Sequence, residues 1–396
     1  MQRQDYANPL CAQVRSLTEL VDEQVKRCFD QEKLESGLSV AEIYDIRNIY
    51  ITGAGDSLAA AGAAADALES FTGVFNCKAV DTMEFSRFTP AAHLGIGEPN
   101  SPLVIGISVS GGTARIAEIL EKANQIGAIS LALTNKVPSR ISGIAKKTFH
   151  VDTPHMDKDF PGLRSYFASL IGLIALGCRI GHVRNVLPPT APEEFQTAIR
   201  HYVHSFEPVM DQIEEQMFEL AQTWKDLELF NFVGSGPQLY SALFGLMKFY
   251  ECTGRVSNYD DAEDWCHIDY HLKHPEKIGT VIFADKHSPY FKRTQETVQA
   301  AVGIKRPTLV IANTDASAFE PGAVVCQIPD TPQGFEWLMP IMDYVPVTFL
   351  AAYCAVLGGR RFFNEFDARS LERTGDGTFF NRDIMTTGSS KVEIHI

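Results

Sequence analysis

The stretch VIGISVSGGTARIAEIL, residues 104–120, changes character twice. An apolar run ends at Ile107, a Ser/Gly/Thr turn follows, and from Ala114 the apolar residues fall at helical spacing. Strand, turn and helix in immediate succession are the repeating step of a parallel sheet covered by helices on both faces.

The same step occurs elsewhere. NIYITGAG (48–55) is an apolar run ending in small residues that leads straight into DSLAAAGAAADALESF (56–71). AISLALTN (128–135) is a third run and FHVDT (149–153) a weaker fourth. The order then recurs. LFNFVGSGPQLYSALFGLMKFYE (229–251) resembles NIYITGAGDSLAAAGAAADALES (48–70), with Gly234 in the place of Gly53. TVIFADKHSPYFKRTQETVQAAVGI (280–304) answers the opening stretch, and PTLVIANT (307–314) answers ISLALTNK (129–136). The expectation is an α/β protein of two tandem doubly wound, flavodoxin-like parallel-sheet domains. A helical leader is expected over 1–45, with ANPL as a turn ahead of it, and the first domain over 46–186. A linker and helix then cover 187–225, opening on the Pro-rich LPPTAPEEF, followed by the second domain over 226–375 and a tail over 376–396.

The composition suits a folded soluble protein: 396 residues, 45% hydrophobic and 21% charged. The apolar runs look shorter and more interrupted than the ~18 residues of a membrane span. MQRQDYANPLCAQVRS (1–16) has no apolar core behind its charges, so it does not read as a signal peptide. The eight cysteines are scattered without a Cys-x-x-Cys pair, as expected of reduced thiols in the cytoplasm. A net charge of −14 argues against nucleic acid or an anionic membrane as partner. An anionic ligand would need a local device to bind against that field.

Ser108, Ser110 and Thr113 supply one. They stand where a strand gives way to the first turn of a helix, whose backbone N–H groups are unpaired and whose dipole is positive. Gly111 and Gly112 let the backbone approach a ligand closely, and hydroxyls add donors without charge. A phosphate or similar tetrahedral anion fits that arrangement. The plain alternative is an N-cap worth ~1 kcal/mol, which accounts for one hydroxyl and not for three. GAGDS (53–57) is no dinucleotide fingerprint, because Leu58 stands where a third glycine is needed and no acidic residue closes the next strand. Gly55 and Ser57 are instead expected to face the same anion.

These residues resemble the tandem sugar isomerase (SIS) domain family, in particular the isomerase half of glucosamine-6-phosphate synthase and the fructoselysine-6-phosphate deglycases. SVSGGTA (108–114) resembles its phosphate loop, QDYANP (4–9) its opening, and YVPVTFLAAYCAVLGG (344–359) its penultimate helix. The resemblance implies that Ser57, Ser108, Ser110 and Thr113 hold a sugar phosphate. MKFYE (247–251) resembles a Lys-x-x-Glu that makes Glu251 the carrier of a proton between carbons 1 and 2, with Lys248 beside it. AEDWCHIDYHL (262–272) resembles the loop of a ring-opening histidine, here His267, which in the family reaches the neighbouring subunit and so implies a homodimer. SSKVEIHI (389–396) resembles the tail whose lysine stands five residues before the end, here Lys391, a group that stabilises an oxyanion or forms a Schiff base.

Each assignment has a plain counterpart. Lys248 and Glu251 are spaced as an ordinary helix pair, Lys391 as a surface lysine. Asp264, His267 and Asp269 could ligate a metal, but their spacing matches no common motif, and neither metal nor cofactor is expected. The sequence also departs from the family pattern. Val109 and Gly112 replace polar and acidic residues, FPGLRSYFAS (160–169) replaces a Ser-Thr-Lys segment, where Arg164 is the candidate substitute cation, and FNEFDARSLERTGDGTFFNRD (363–383) is a long insertion. The glutaminase domain of the synthase is missing, and Cys11 is no N-terminal nucleophile. The implied activity is aldose–ketose isomerisation of a 6-phosphorylated or otherwise 6-anionic hexose or amino sugar, a 6-sulfo sugar included, through an enediol(amine). A deglycase or deaminase on the same frame, and a non-catalytic sugar-phosphate sensor, are the alternatives.

Overall fold

The computed structural model describes residues 2–94, 101–157, 161–360 and 391–394. The insertion 363–383 lies outside the described residues, as does most of the tail. Contacts divide the chain into two compact units. One comprises 22–155, 165–197 and the described tail; the other comprises 2–21, Met156–Arg164 and 198–360.

The leader is helical: α1 (Pro9–Arg15), α2 (Leu17–Cys28), α3 (Gln31–Gly37) and α4 (Val40–Asp45). Asn8 starts α1, its Oδ1 accepting from the Cys11 N–H at 3.0 Å, with Pro9 at the first helical position where no amide donor is needed. Ser39 and Glu42 close a reciprocal capping box on α4. The unit division falls inside α2, so this leader is shared between the two units.

The first sheet contains β1 (Asn48–Thr52), β2 (Cys77–Ala79), β3 (Pro102–Ile107), β4 (Ile129–Thr134) and β5 (Lys147–His150). Its helices are α5 (Asp56–Thr72), α6 (Ala114–Gln125), α7 (Arg140–Ile144) and α8 (Arg164–Val183). After α9 (Ala191–His204) and α10 (Met210–Trp224) comes the second sheet. It has β6 (Leu229–Val233), β7 (Val256–Asp260), β8 (Ile278–Ala284), β9 (Thr308–Ala312) and β10 (Val324–Gln327), with α11 (Pro237–Thr253), α12 (Ala262–His267), α13 (Phe291–Gly303) and α14 (Val345–Leu357).

Every strand pairing is parallel, and the orders are β2-β1-β3-β4-β5 and β10-β9-β8-β6-β7. Counted within its own sheet, each is the flavodoxin-like order 2-1-3-4-5, with the switch point at the carboxyl ends of the first and third strands. The first turns also correspond. Gly55 and Gly236 stand at the N-caps of α5 and α11 with φ of 59° and 60°. A Cβ on Gly53 would lie 2.4 Å from the Ser57 carbonyl carbon, and one on Gly234 2.1 Å from the Gln238 carbonyl oxygen. Both strand-to-helix turns are so tight that only glycine fits.

Two helices are more apolar than the sequence reading allowed. Arg164–Val183 and Glu336–Leu357 are long and apolar enough to cross a membrane, yet 83% and 89% of their apolar windows are buried inside the protein. They are core helices, apolar all round because protein covers them on every side. β2 was not anticipated; a three-residue strand carries too little alternation to show.

Candidate functional site

At the switch point of the first sheet, β1 hands over to α5 and β3 to the loop before α6. Ser57 lies buried in the first turn of α5. Ser108 is buried at the end of β3, and its hydroxyl lies 3.0 Å from that of Thr113. Thr113 occupies the N-cap of α6, but its side chain makes no capping bond. The N-cap alternative is therefore not what these hydroxyls do. Ser110 is exposed and its Oγ accepts from the Gly112 N–H at 3.4 Å.

Between them Gly111 adopts φ 66°, and a Cβ there would sit 2.3 Å from Ser139. Ser139 in turn caps α7 in a box with Ser142, and the Ile141 N–H donates to the Gly111 carbonyl at 3.0 Å. The loop is thus pressed onto a capped helix. The corresponding corner of the second sheet is occupied by its own charges. Lys286 and His287 lie 2.6 Å and 2.9 Å from the Asp330 carboxylate, and Asn313 donates to Asp285 and Asp330. Donors already committed to two carboxylates offer an anion little.

Lys391 belongs to the same unit as this loop. Its carbonyl accepts from Arg115 Nη2 at 3.0 Å, Arg115 being the second residue of α6. Its side chain is exposed. Arg164, by contrast, groups with the second-sheet unit. There the neighbouring Leu163 N–H donates to Gln13 Oε1 at 3.1 Å.

In the second-sheet unit Lys248 and Glu251 lie on one face of α11. The lysine side chain is fully buried, the glutamate 29% exposed. Lys248 Nζ donates to Glu251 Oε2 at 2.5 Å and to the Gly162 carbonyl at 2.9 Å, and it sits 4.8 Å over the Phe244 ring. A solvated helix pair does not bury its cation in this way. Gly162 lies in the segment that departs from the family pattern, and its backbone carbonyl braces the lysine.

His267 ends α12 with its side chain 66% exposed, 2.8 Å from Glu263 Oε1. Its bond, more than the Arg293 guanidinium at 2.7 Å, holds the Glu263 carboxyl below the usual range. The loop behind it is anchored by a buried network. Arg306 donates to Asn231 and to the Asp269 carbonyl, stacking 5.0 Å from the Trp265 ring, while Asn258 donates to both Asp269 oxygens. Burial raises the Asp269 carboxyl and lowers Arg306 to about 10. Asp269 and His267 thus serve different partners, and among the described residues no group of three or more His, Cys, Asp or Glu is placed to hold a metal.

α11 leaves the carboxyl end of β6 and runs back along the sheet, so Glu251 lies about 21 Å along the helix axis from Pro237 at 1.5 Å per residue. α12 begins at the carboxyl end of β7. Sequence reasoning missed Arg115 and Glu118, which tie the tail to α6. Their i, i+3 spacing directly after the loop was visible, but the tail that completes the contact is too distant in sequence to foresee.

Two flavodoxin-like sheets, the first with a hydroxyl-lined loop at its switch point, define the architecture of sugar isomerase domains. Residues 42–176 match the SIS domain, and the chain is homologous to the isomerase domain of glutamine–fructose-6-phosphate aminotransferases. It is 24% identical over 335 residues to such an enzyme (isomerizing) of Gloeobacter violaceus, across 82% of this chain and 51% of that one. The chain thus spans about half the length of the curated relatives it matches. Among solved structures it resembles the C-terminal domain of glucosamine-fructose-6-phosphate aminotransferase from Francisella tularensis, with a TM-score of 0.73, 16% identity and coverage of 91% and 98%. It also resembles tagatose-6-phosphate ketose/aldose isomerase from Escherichia coli, with a TM-score of 0.62, 18% identity and coverage of 89% and 91%.

Proposed function

We propose that this protein is an aldose–ketose isomerase acting on a 6-phosphorylated or otherwise 6-anionic hexose or amino sugar. The observation that carries the reading is the buried Lys248 bonded to the half-exposed Glu251. A carboxylate held by a fixed cation and still reached by solvent, 29% exposed at its side chain, suits a proton carrier.

In this reading Ser57, Ser108, Ser110, Thr113 and the Gly55 backbone hold the 6-anion, with α6 supplying its positive end. Arg164 adds charge to the anion. His267 of a second copy moves a proton from the anomeric hydroxyl to the ring oxygen, opening the ring. Glu251 takes the proton from carbon 2 of the aldose as the electron pair shifts onto the carbon-1 oxygen, and the resulting enediolate gains a proton at that oxygen while the carbon-2 hydroxyl gives one up. Carbon 1 then accepts a proton from the same carboxyl, giving the ketose, and the reverse path runs from carbon 1. Lys248 or Lys391 stabilises the oxyanion, and Lys391 is the amine available for a Schiff base with a ketose. The chemistry asks for no cofactor. The working form is a homodimer, and the eight free cysteines, seven of them buried, suit the cytoplasm.

Proton NMR in deuterated water with hexose 6-phosphates, amino-sugar phosphates and 6-sulfo sugars tests this. Loss of the carbon-2 proton of one sugar as its isomer appears is the expected result. Binding without exchange would overturn it in favour of a sensor. Release of free amine from a phosphorylated sugar–amine adduct would move the reading to the deglycase.

A further inference from the structure

Glu118 lies on α6 with its side chain 1% exposed, and three groups converge on it. Arg115 Nη1 reaches Oε1 at 2.7 Å, the Glu393 N–H donates to the same oxygen at 2.8 Å, and Arg87 Nη2 lies 3.0 Å from Oε2. One buried carboxylate between two guanidiniums leaves a surplus positive charge. The tail answers it: the Glu393 carboxylate lies 3.9 Å from Arg87, and the Lys391 carbonyl accepts the other arm of Arg115. Between these two residues Val392 packs against the apolar cluster of Ile116, Leu120 and Ile141. The backbone from the Lys391 carbonyl onward is therefore gripped by the helix that follows the anion loop.

We infer that Glu118 is a positioning residue for Lys391: it orients Arg115 and receives the Glu393 N–H, and so sets the lysine at a fixed place beside the anion loop. The catalytic half of this inference rests on the proposed role of Lys391; the placing half does not. A buried charge serves here as a clasp for a segment that has no secondary structure of its own.

Hydrogen–deuterium exchange of the full chain, read by mass spectrometry, tests the clasp without any substrate. The C-terminal peptide is protected in the unsubstituted protein. In Glu118→Gln, which keeps the volume and removes the charge, that protection falls by about tenfold or more while β3 and α6 keep theirs. The paired measurement is solvent exchange into fructose 6-phosphate. There kcat falls roughly 10²-fold and KM stays within about threefold, since the loop is intact. A C-terminal peptide unprotected in the unsubstituted protein, or still protected in Glu118→Gln, overturns the inference. If α6 also loses protection, Val392→Asp decides instead, because a tail substitution leaves the unit folded. The same selective loss is then expected, and an unchanged tail overturns the inference. Lys391→Ala turning over normally would refute the role of Lys391 alone, with the exchange result still deciding the placement.

Discussion

Lys248 Nζ and Glu251 Oε2 are 2.5 Å apart on α11, and the cation of the pair is wholly buried while the anion is not. The asymmetry orients a carboxylate that solvent still reaches. Glu251→Gln keeps the shape and most of the hydrogen bonding but cannot carry a proton. It should lower kcat roughly 10²–10⁴-fold with KM nearly unchanged, the signature of a group needed in the transition state. Normal turnover in that variant would remove Glu251 from the chemistry.

The two adjacent glycines of the loop should behave oppositely. Gly111→Ala forces a side chain into φ 66° and onto Ser139 at 2.3 Å, so either the loop or α7 must move. A cost of about 1–2 kcal/mol for the backbone alone is expected, with KM for the sugar phosphate rising about tenfold or more as the hydroxyls shift. Gly112→Ala meets nothing nearer than Ser110 Oγ at 3.7 Å and should stay within about 0.5 kcal/mol of the unsubstituted protein. Thermal melts and steady-state kinetics on both variants check this. Equal effects would mean that the loop is not held as described.

What the sequence made legible was local. The apolar runs ending in Gly53, Gly234 and Ser108 announced strands and their turns, because tight strand-to-helix turns restrict residue choice over a few consecutive positions. The features that stayed hidden depend on chain segments far apart. Nothing at Lys248 signals that the Gly162 carbonyl will cover it, and nothing in TARIAE (113–118) signals that residues 391–393 will dock there. The apolar length of α8 is underestimated from sequence, because protein covers the helix on every side and leaves it no polar face.

Asp343 gives the stability a pH dependence. It is fully buried, accepts from Ser241 Oγ at 2.8 Å, and burial pushes its carboxyl up to about 8. Unfolded, the same group titrates near ~3.9. Between those values the folded state holds a proton that the unfolded state has released, so this group's contribution is greatest below pH ~4 and is lost as pH rises toward 8. The melting temperature should therefore fall by several degrees between pH 5 and pH 8, and Asp343→Asn should flatten that slope while gaining stability at pH 8. Melts of the two proteins across that range check it. A slope that persists unchanged in the variant assigns the effect to other groups.

His267 should work on the site of a second copy. Its side chain is 66% exposed, and the residue that follows, Ile268, is an apolar side chain 65% exposed. An exposed isoleucine beside an exposed imidazole is what a subunit contact would cover. Co-expression makes the test direct. Glu251→Gln and His267→Gln should each be crippled alone, by roughly 10²-fold or more. In a mixed dimer one site collects both defects and the other collects none, so random pairing should restore about a quarter of the unsubstituted rate. Sites built within single chains would gain nothing from mixing, because every site would still carry one defect. A mixture no faster than its parents would therefore return His267 to its own chain and remove the reason to expect a dimer at the site.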